Sequence, residues 1–87
     1  MDDRDRNLIL EFKGHLPAEV MGHIRKVVAF GSRVRGQGEE DSDLDVLILV
    51  DQKTSELEGK IEDFAYQVMW DHDFKPIISI KVFTEVD

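Results

Sequence analysis

Two stretches of this 87-residue chain gather the residue types that bind phosphate and a hard cation: Gly31-Ser32-Arg33-Val34-Arg35-Gly36 and, after a short acidic segment, Ser42-Asp43-Leu44-Asp45. A glycine at a strand end lets the backbone turn sharply and come close to a ligand, and the N–H groups that open the next helical turn are natural phosphate donors. Ser32 adds a hydroxyl. Arg33 and Arg35 carry charge that suits a polyphosphate, with surface pairing to Glu39, Glu40 or Asp41 as the plain alternative. Asp43 and Asp45 are two residues apart in, or entering, extended backbone, so their side chains leave the same face and can converge on one cation. Oxygen ligands beside phosphate suit magnesium.

Each piece alone is common turn chemistry, since Gly-Ser ends many strands and Asp-x-Asp occurs in many solvated loops. Asp45 differs because it is embedded among Leu44, Val46, Leu47, Ile48 and Leu49. An unpaired carboxylate is costly to desolvate there, so a cation is expected beside it, either a bound metal or a nearby arginine in a purely structural pair.

The surrounding sequence supplies elements to position these groups. Lys26-Val27-Val28-Ala29-Phe30 is short, β-branched and aromatic and stops at Gly31, which predicts a buried strand. Ser32 to Asp43 reads as a helical turn followed by an exposed loop. Leu44 to Val50 is apolar at nearly every position, the pattern of a central strand covered on both faces. Ser55-x-x-Glu58 has capping-box spacing, and Leu57, Ile61, Phe64, Ala65, Val68 and Met69 then recur at helical intervals up to Asp71. Pro76 stops that helix, and Ile77 to Phe83 is a third strand. Two short helices come first: one from Asp3 to Gly14, and one that Pro17 opens, with Val20, Met21 and Ile24 sharing a face. The expected fold class is thus α/β (α+β), a small mixed sheet of about three strands with helices packed on it, forming a single domain over residues 1–87.

Composition narrows the choice of partners. With 19 acidic and 11 basic side chains the net charge is −8, which disfavours stable binding to nucleic acid or anionic lipid. Without cysteine there are no disulfides or thiolate metal sites, which fits a reducing cytoplasm. His15, His23 and His72 lack metal-ligand spacing and read as surface residues. No apolar run is long enough for a membrane span, and the charged start of the chain lacks a signal peptide's apolar core. Tyr66 and Trp70 lie four apart on the long helix, off its main apolar stripe. They are either an exposed aromatic patch for a partner chain or, by a small margin, part of a wider buried stripe against the N-terminal helix.

Gly31-Ser32-Arg33-Val34-Arg35-Gly36 followed by Ser42-Asp43-Leu44-Asp45-Val46 resembles the Gly-Ser…Ser-Asp-x-Asp signature of the DNA polymerase β-like nucleotidyltransferase superfamily, in its minimal-nucleotidyltransferase branch. The likeness runs from about Val27 to the C-terminus. It implies a nucleotidyltransferase fold, with Gly31 and Ser32 holding the β- and γ-phosphates of a nucleoside triphosphate, ATP by resemblance, and Arg33 and Arg35 adding charge. It also implies that Asp43 and Asp45 bind Mg²⁺ while an acceptor hydroxyl attacks the α-phosphorus. The family's third carboxylate belongs on the strand after the long helix, but Ile77 to Phe83 contains no acid. Ser79 or Lys81 stands on the relevant face, and Ser79 is taken as the third-acid slot. Asp71, Asp73 or Glu85 would substitute only along a different chain path. Branch members work as antitoxins beside small helical HEPN-type toxins, either blocking the toxin or adding AMP to it. The partners this implies are a nucleoside triphosphate, a HEPN-type toxin protein and, for self-association, a second copy of the chain. The alternative is a catalytically weak or inactive antitoxin that binds such a toxin without transfer.

Overall fold

The computed structural model describes residues 3–31 and 42–85. The elements are α1 (Asp3–His15), α2 (Ala18–Met21), β1 (Ile24–Phe30), β2 (Leu44–Val50), α3 (Ser55–Asp71) and β3 (Ile78–Thr84). Their order and types follow the sequence expectation, with shifts at several boundaries. Pro17 is the N-cap of α2 instead of its first turn, and Ile24 opens β1 instead of sharing a helical face with Val20. Thr54, one residue before the expected cap, closes the start of α3, its Oγ1 accepting from the Leu57 N–H at 3.1 Å. Either hydroxyl can serve a first-turn N–H, and here the chain enters the helix with Thr54 in the extended conformation that a cap requires.

The sheet order is β1-β2-β3, with β1 antiparallel to β2 and β2 parallel to β3. The three-stranded mixed sheet with its helices is a small α+β fold of nucleotidyltransferase type. A parallel pair cannot be joined by a tight turn, so α3 carries the chain back from the end of β2 to the start of β3. Leu57, Ile61, Ala65 and Val68 form its buried stripe. They pack with Leu8, Phe12, Leu16 and Val20 against Leu44, Val46, Ile48, Val50, Ile78 and Val82.

The expectation that β2 is covered on both faces is corrected. Its side chains alternate between buried and half-buried, so Leu44, Val46, Ile48 and Val50 face the helices while Asp45, Leu47 and Leu49 face away. Leu47 and Leu49 lie in the middle of a sheet face, each between one apolar side chain and one lysine: Val28 and Lys81 beside Leu47, Phe83 and Lys26 beside Leu49, so that lysine stems help to shelter them. Full burial on both sides is not required to keep them half-covered. Tyr66 and Trp70 are likewise exposed, at 52% and 65%, rather than part of a wider buried stripe. The packed face of α3 is satisfied by residues spaced four, four and three apart, which leaves the adjoining face free.

At the far end of the sheet, the Asp51 N–H donates to the His23 carbonyl at 2.9 Å, and the two side chains meet at 2.8 Å. That hydrogen bond, with a smaller contribution from the charge on His23, holds the Asp51 carboxyl below the ordinary aspartate range. His72 meets Glu11 at 2.8 Å, linking the end of α3 to α1.

Ile61 is fully buried at the centre of this packing, whereas Leu10 on α1 is 57% exposed. Ile61→Ala should therefore cost about 2–5 kcal/mol in urea or thermal unfolding. Leu10→Ala should stay within about 0.5 kcal/mol. Equal losses would contradict the assigned faces.

Candidate functional site

Asp45 is the second residue of β2, and its neighbours are set by strand register. Its Cα partners are Phe30 on β1 and Ser79 on β3. Directly paired residues project to the same side of a sheet, so Phe30, Asp45 and Ser79 share the face turned away from the helices. Asp43, two residues earlier, lies just before the strand and is exposed, while Asp45 is half-buried. The Leu44 N–H donates to the Ile77 carbonyl at 2.8 Å, which fixes the head of β2 against the entrance to β3.

Gly31 directly follows Phe30 and has φ +92°, in the region that favours glycine. A Cβ built there would overlap Asp45 Oδ2 and would stand 3.3 Å from the carboxyl carbon. The glycine is thus required twice, once by its backbone angle and once by the carboxylate lying over it. The result is a cradle of Gly31 main chain and Asp45 oxygen on an accessible face.

The structure therefore brings Gly31, Asp43, Asp45 and Ser79 to one end of the sheet, with Asp45 and Ser79 on its open face. Ser32, Arg33 and Arg35 lie outside the described residues, as does most of the predicted helical turn and loop. None of the ion pairs among the described residues involves Asp43 or Asp45. Among the described residues, no three His, Asp or Glu side chains form a metal-holding group. Asp73 sits in the turn after α3, and Glu85 follows the far end of β3, since Thr84 pairs with Val50 rather than with Asp45.

Two residues at this end had not been singled out as exposed from the sequence. Ile77, 49% exposed, stands at the entrance to β3 beside Asp43, and Phe30, 39% exposed, flanks Asp45. Exposed apolar groups beside carboxylates give the site a mixed surface. An apolar residue directly after a helix-stopping proline was the available signal for Ile77. A separate cleft of about 220 Å³, lined by Glu19, His23, Gln52, Thr54 and Lys60 among others, opens at the opposite end of the sheet and contains no residue of the motif.

The donor set fits a divalent cation on its chemistry. Carboxylates are the hard oxygen donors such an ion takes, and the Asp45 carboxylate lies against the Gly31 backbone at the strand end. The chain belongs to the nucleotidyltransferase domain family, whose pattern matches residues 8–86, and it is a minimal domain of that kind. Two relatives come from Methanocaldococcus jannaschii. "Putative protein adenylyltransferase MJ0141" is 38% identical over 74 residues, covering 82% of this chain and 75% of that protein. "Putative protein adenylyltransferase MJ0604" is 40% identical over 47 residues, covering 54% of this chain and 47% of that protein. No solved structure gives a significant match. Among the described residues, no helix is long and apolar enough to cross a membrane.

Gly31→Ala should destabilise the fold through both of its constraints, with the backbone angle alone costing about 1–2 kcal/mol. In an Asp45→Ala background the steric part should disappear, because the remaining neighbour, the Cβ of residue 45, is at an ordinary 3.5 Å. Unfolding of the four proteins in this double-mutant cycle measures the coupling, and additive losses would show that Gly31 and Asp45 do not touch.

Proposed function

We propose that this domain performs magnesium-dependent transfer of a nucleoside monophosphate, AMP from ATP, to a hydroxyl on a partner protein. The observation that carries the reading is the half-buried Asp45 carboxylate lying over bare glycine backbone at the strand head, with exposed Asp43 two residues before it. Protein as the acceptor is supported by the printed names of the two relatives and by the net charge of −8, which opposes a nucleic-acid acceptor.

Asp43 and Asp45 would hold the magnesium ion, and Gly31 would let the triphosphate approach the main chain. Ser32, with Arg33 and Arg35, would donate to the β- and γ-phosphates. When bound, magnesium neutralises phosphate charge and favours ionisation of the attacking hydroxyl. In the transfer the acceptor oxygen bonds to the α-phosphorus and pyrophosphate leaves. The hydroxyl proton needs a base, and Ser79 cannot supply one because a serine hydroxyl is not basic near neutrality. The acceptor proton then passes to solvent or to a group brought by the partner. Binding of nucleotide is therefore favoured over turnover.

The second reading rests on that same serine. A domain with two metal-binding carboxylates and no third acid suits an antitoxin that grips a HEPN-type toxin and transfers AMP slowly or not at all. General-base assistance is worth about 10²–10⁴-fold, enough to separate a visible transferase from a silent one.

Purified protein incubated with α-labelled ATP, magnesium and the product of the adjacent gene tests the choice. Label on the partner, lost in Asp43→Asn/Asp45→Asn, is the expected result. That double variant should also lose magnesium-dependent ATP binding in calorimetry while its fold stays intact or gains slightly, because two close carboxylates repel without a metal. Unfolding of the double variant would mean that the pair is structural. Co-purification without labelling would support the antitoxin reading.

Ser79→Asp places a carboxylate at the Cα-partner position of Asp45. It should tighten magnesium binding and raise the transfer rate, up to the general-base range of about 10²–10⁴-fold. A rapid parent enzyme that is unmoved or slowed by this change would show that another acid completes the site.

A further inference from the structure

The geometry points to a docking surface for the basic face of a protein acceptor, built from Tyr66, Trp70 and Phe74 in the helix layer at the site's end of the molecule. This rests on the reading of the domain as a transferase acting on protein and names how the acceptor is held. Three rings form one cluster, with Tyr66 and Trp70 exposed and Phe74 half-buried beside them. Tyr66 and Trp70 have centroids 6.4 Å apart in a stacked arrangement, and Phe74 meets them edge-on at 5.4 and 5.9 Å. Tyr66 is 52% and Trp70 65% exposed. Large aromatic side chains held against one another on the surface are the usual anchors of protein interfaces, because they bring area at little cost in side-chain freedom.

The backbone places the third ring at some expense. Asp73 and Phe74 have φ of 57° and 58°, and a bulky residue in that region is a genuine outlier. The Phe74 N–H donates to the Met69 carbonyl at 2.7 Å, which turns the chain back so that the ring lies on the helix face it has just left. Strain retained to complete a surface cluster points to use of that cluster.

Position ties the cluster to the site. Met69, next to Trp70, accepts a hydrogen bond from the Ile78 N–H at its sulfur, at 3.1 Å. Ile78 is the Cα partner of Leu44, the residue between Asp43 and Asp45. The crossover thus sets the aromatic cluster at the same end of the molecule as the acidic pair, one layer away. An acceptor that engages both must be a folded chain that wraps this end of the sheet, with the rings as its anchor.

Charge selects the occupant. Glu62, Asp63, Asp71 and Asp73 are all exposed around the rings, with Lys75 as the basic side chain on the adjoining turn. Aromatic faces rimmed by carboxylates attract lysine and arginine by cation–π contact and by long-range field together. The same rim repels nucleic acid, whose bases could otherwise stack on these rings.

Trp70 is the sole tryptophan of the chain, so its fluorescence reports on the cluster directly. The probes are a Lys/Arg-rich helical peptide containing one tyrosine, its counterpart with glutamates in place of the basic residues, and a single-stranded oligonucleotide. The basic peptide should shift Trp70 emission saturably, and the response should weaken with salt. Tyr66→Ala and Phe74→Ala should each weaken its binding on the order of tenfold while leaving calorimetric ATP binding unchanged. With fluorescently labelled peptide, Trp70→Ala should show the same loss. No saturable response to the basic peptide, an equal response to the acidic one, or binding indifferent to all three variants would overturn the proposal. Preferential binding of the oligonucleotide would also overturn it, as would dimerisation of the free protein that Tyr66→Ala abolishes. Peptide bound at the rings but never labelled by ATP would leave the docking surface standing and count against the transferase reading.

Discussion

Parallel pairing of β2 with β3 governs the rest of the molecule. Strands that run the same way cannot be closed by a hairpin, so the chain must travel back along the sheet before β3 can begin. α3 makes that return over one face and buries Leu57, Ile61, Ala65 and Val68 as it goes. One face is then spent on packing while the other stays open. The two strand heads, Asp45 and Ser79, must also stand side by side on that open face. The antiparallel partner β1 ends at the same place, delivering Gly31 against Asp45. Three chain segments far apart in sequence converge because of one strand direction.

That constraint also explains how a chain of 87 residues can form a site with so little material. The apolar stripe of α3 and the inward residues of β2 supply most of the core, and α1 adds Leu8 and Phe12. Asp43 stands just before β2 and Asp45 is its second residue, so the two acids reach the same strand head without an insertion between them. The demand falls instead on Gly31, where a side chain would meet both an unfavourable angle and a carboxylate. The proposed function draws on strand ends, and stability on the strands and helix between them.

Much of this was legible from the sequence for identifiable reasons. The 3.6-residue recurrence from Leu57 to Met69 and the apolar run of β2 are strong local signals, and both elements appear where expected. The Gly-Ser and Asp-x-Asp spacing drew attention to the strand heads before any fold was known, and the register then placed Ser79 across from Asp45. What was misread concerns faces rather than elements. An all-apolar strand cannot reveal whether its second face is covered by helices or only sheltered by neighbouring side chains, and Leu47 and Leu49 are of the latter kind. Tyr66 and Trp70 were ambiguous for a similar reason, because the width of a buried helical stripe is decided by the partner helix. Phe74 could not be foreseen at all, since its place depends on two left-handed residues that no local pattern announces.

The central claim is that a divalent ion and a nucleotide meet at the joined heads of β2 and β3. Paramagnetic broadening locates such an ion without relying on turnover. Manganese, substituted for magnesium and titrated with a non-hydrolysable ATP analogue into isotopically labelled protein, should broaden the amide signals of Gly31, Asp43 to Val46, Ile78 and Ser79 first. Those of Asp51, Thr54 and Thr84, at the opposite end of the sheet, should stay sharp. Broadening centred instead on Glu19, His23, Asp51 and Glu56, or spread evenly over the acidic surface, would contradict the assignment of the site.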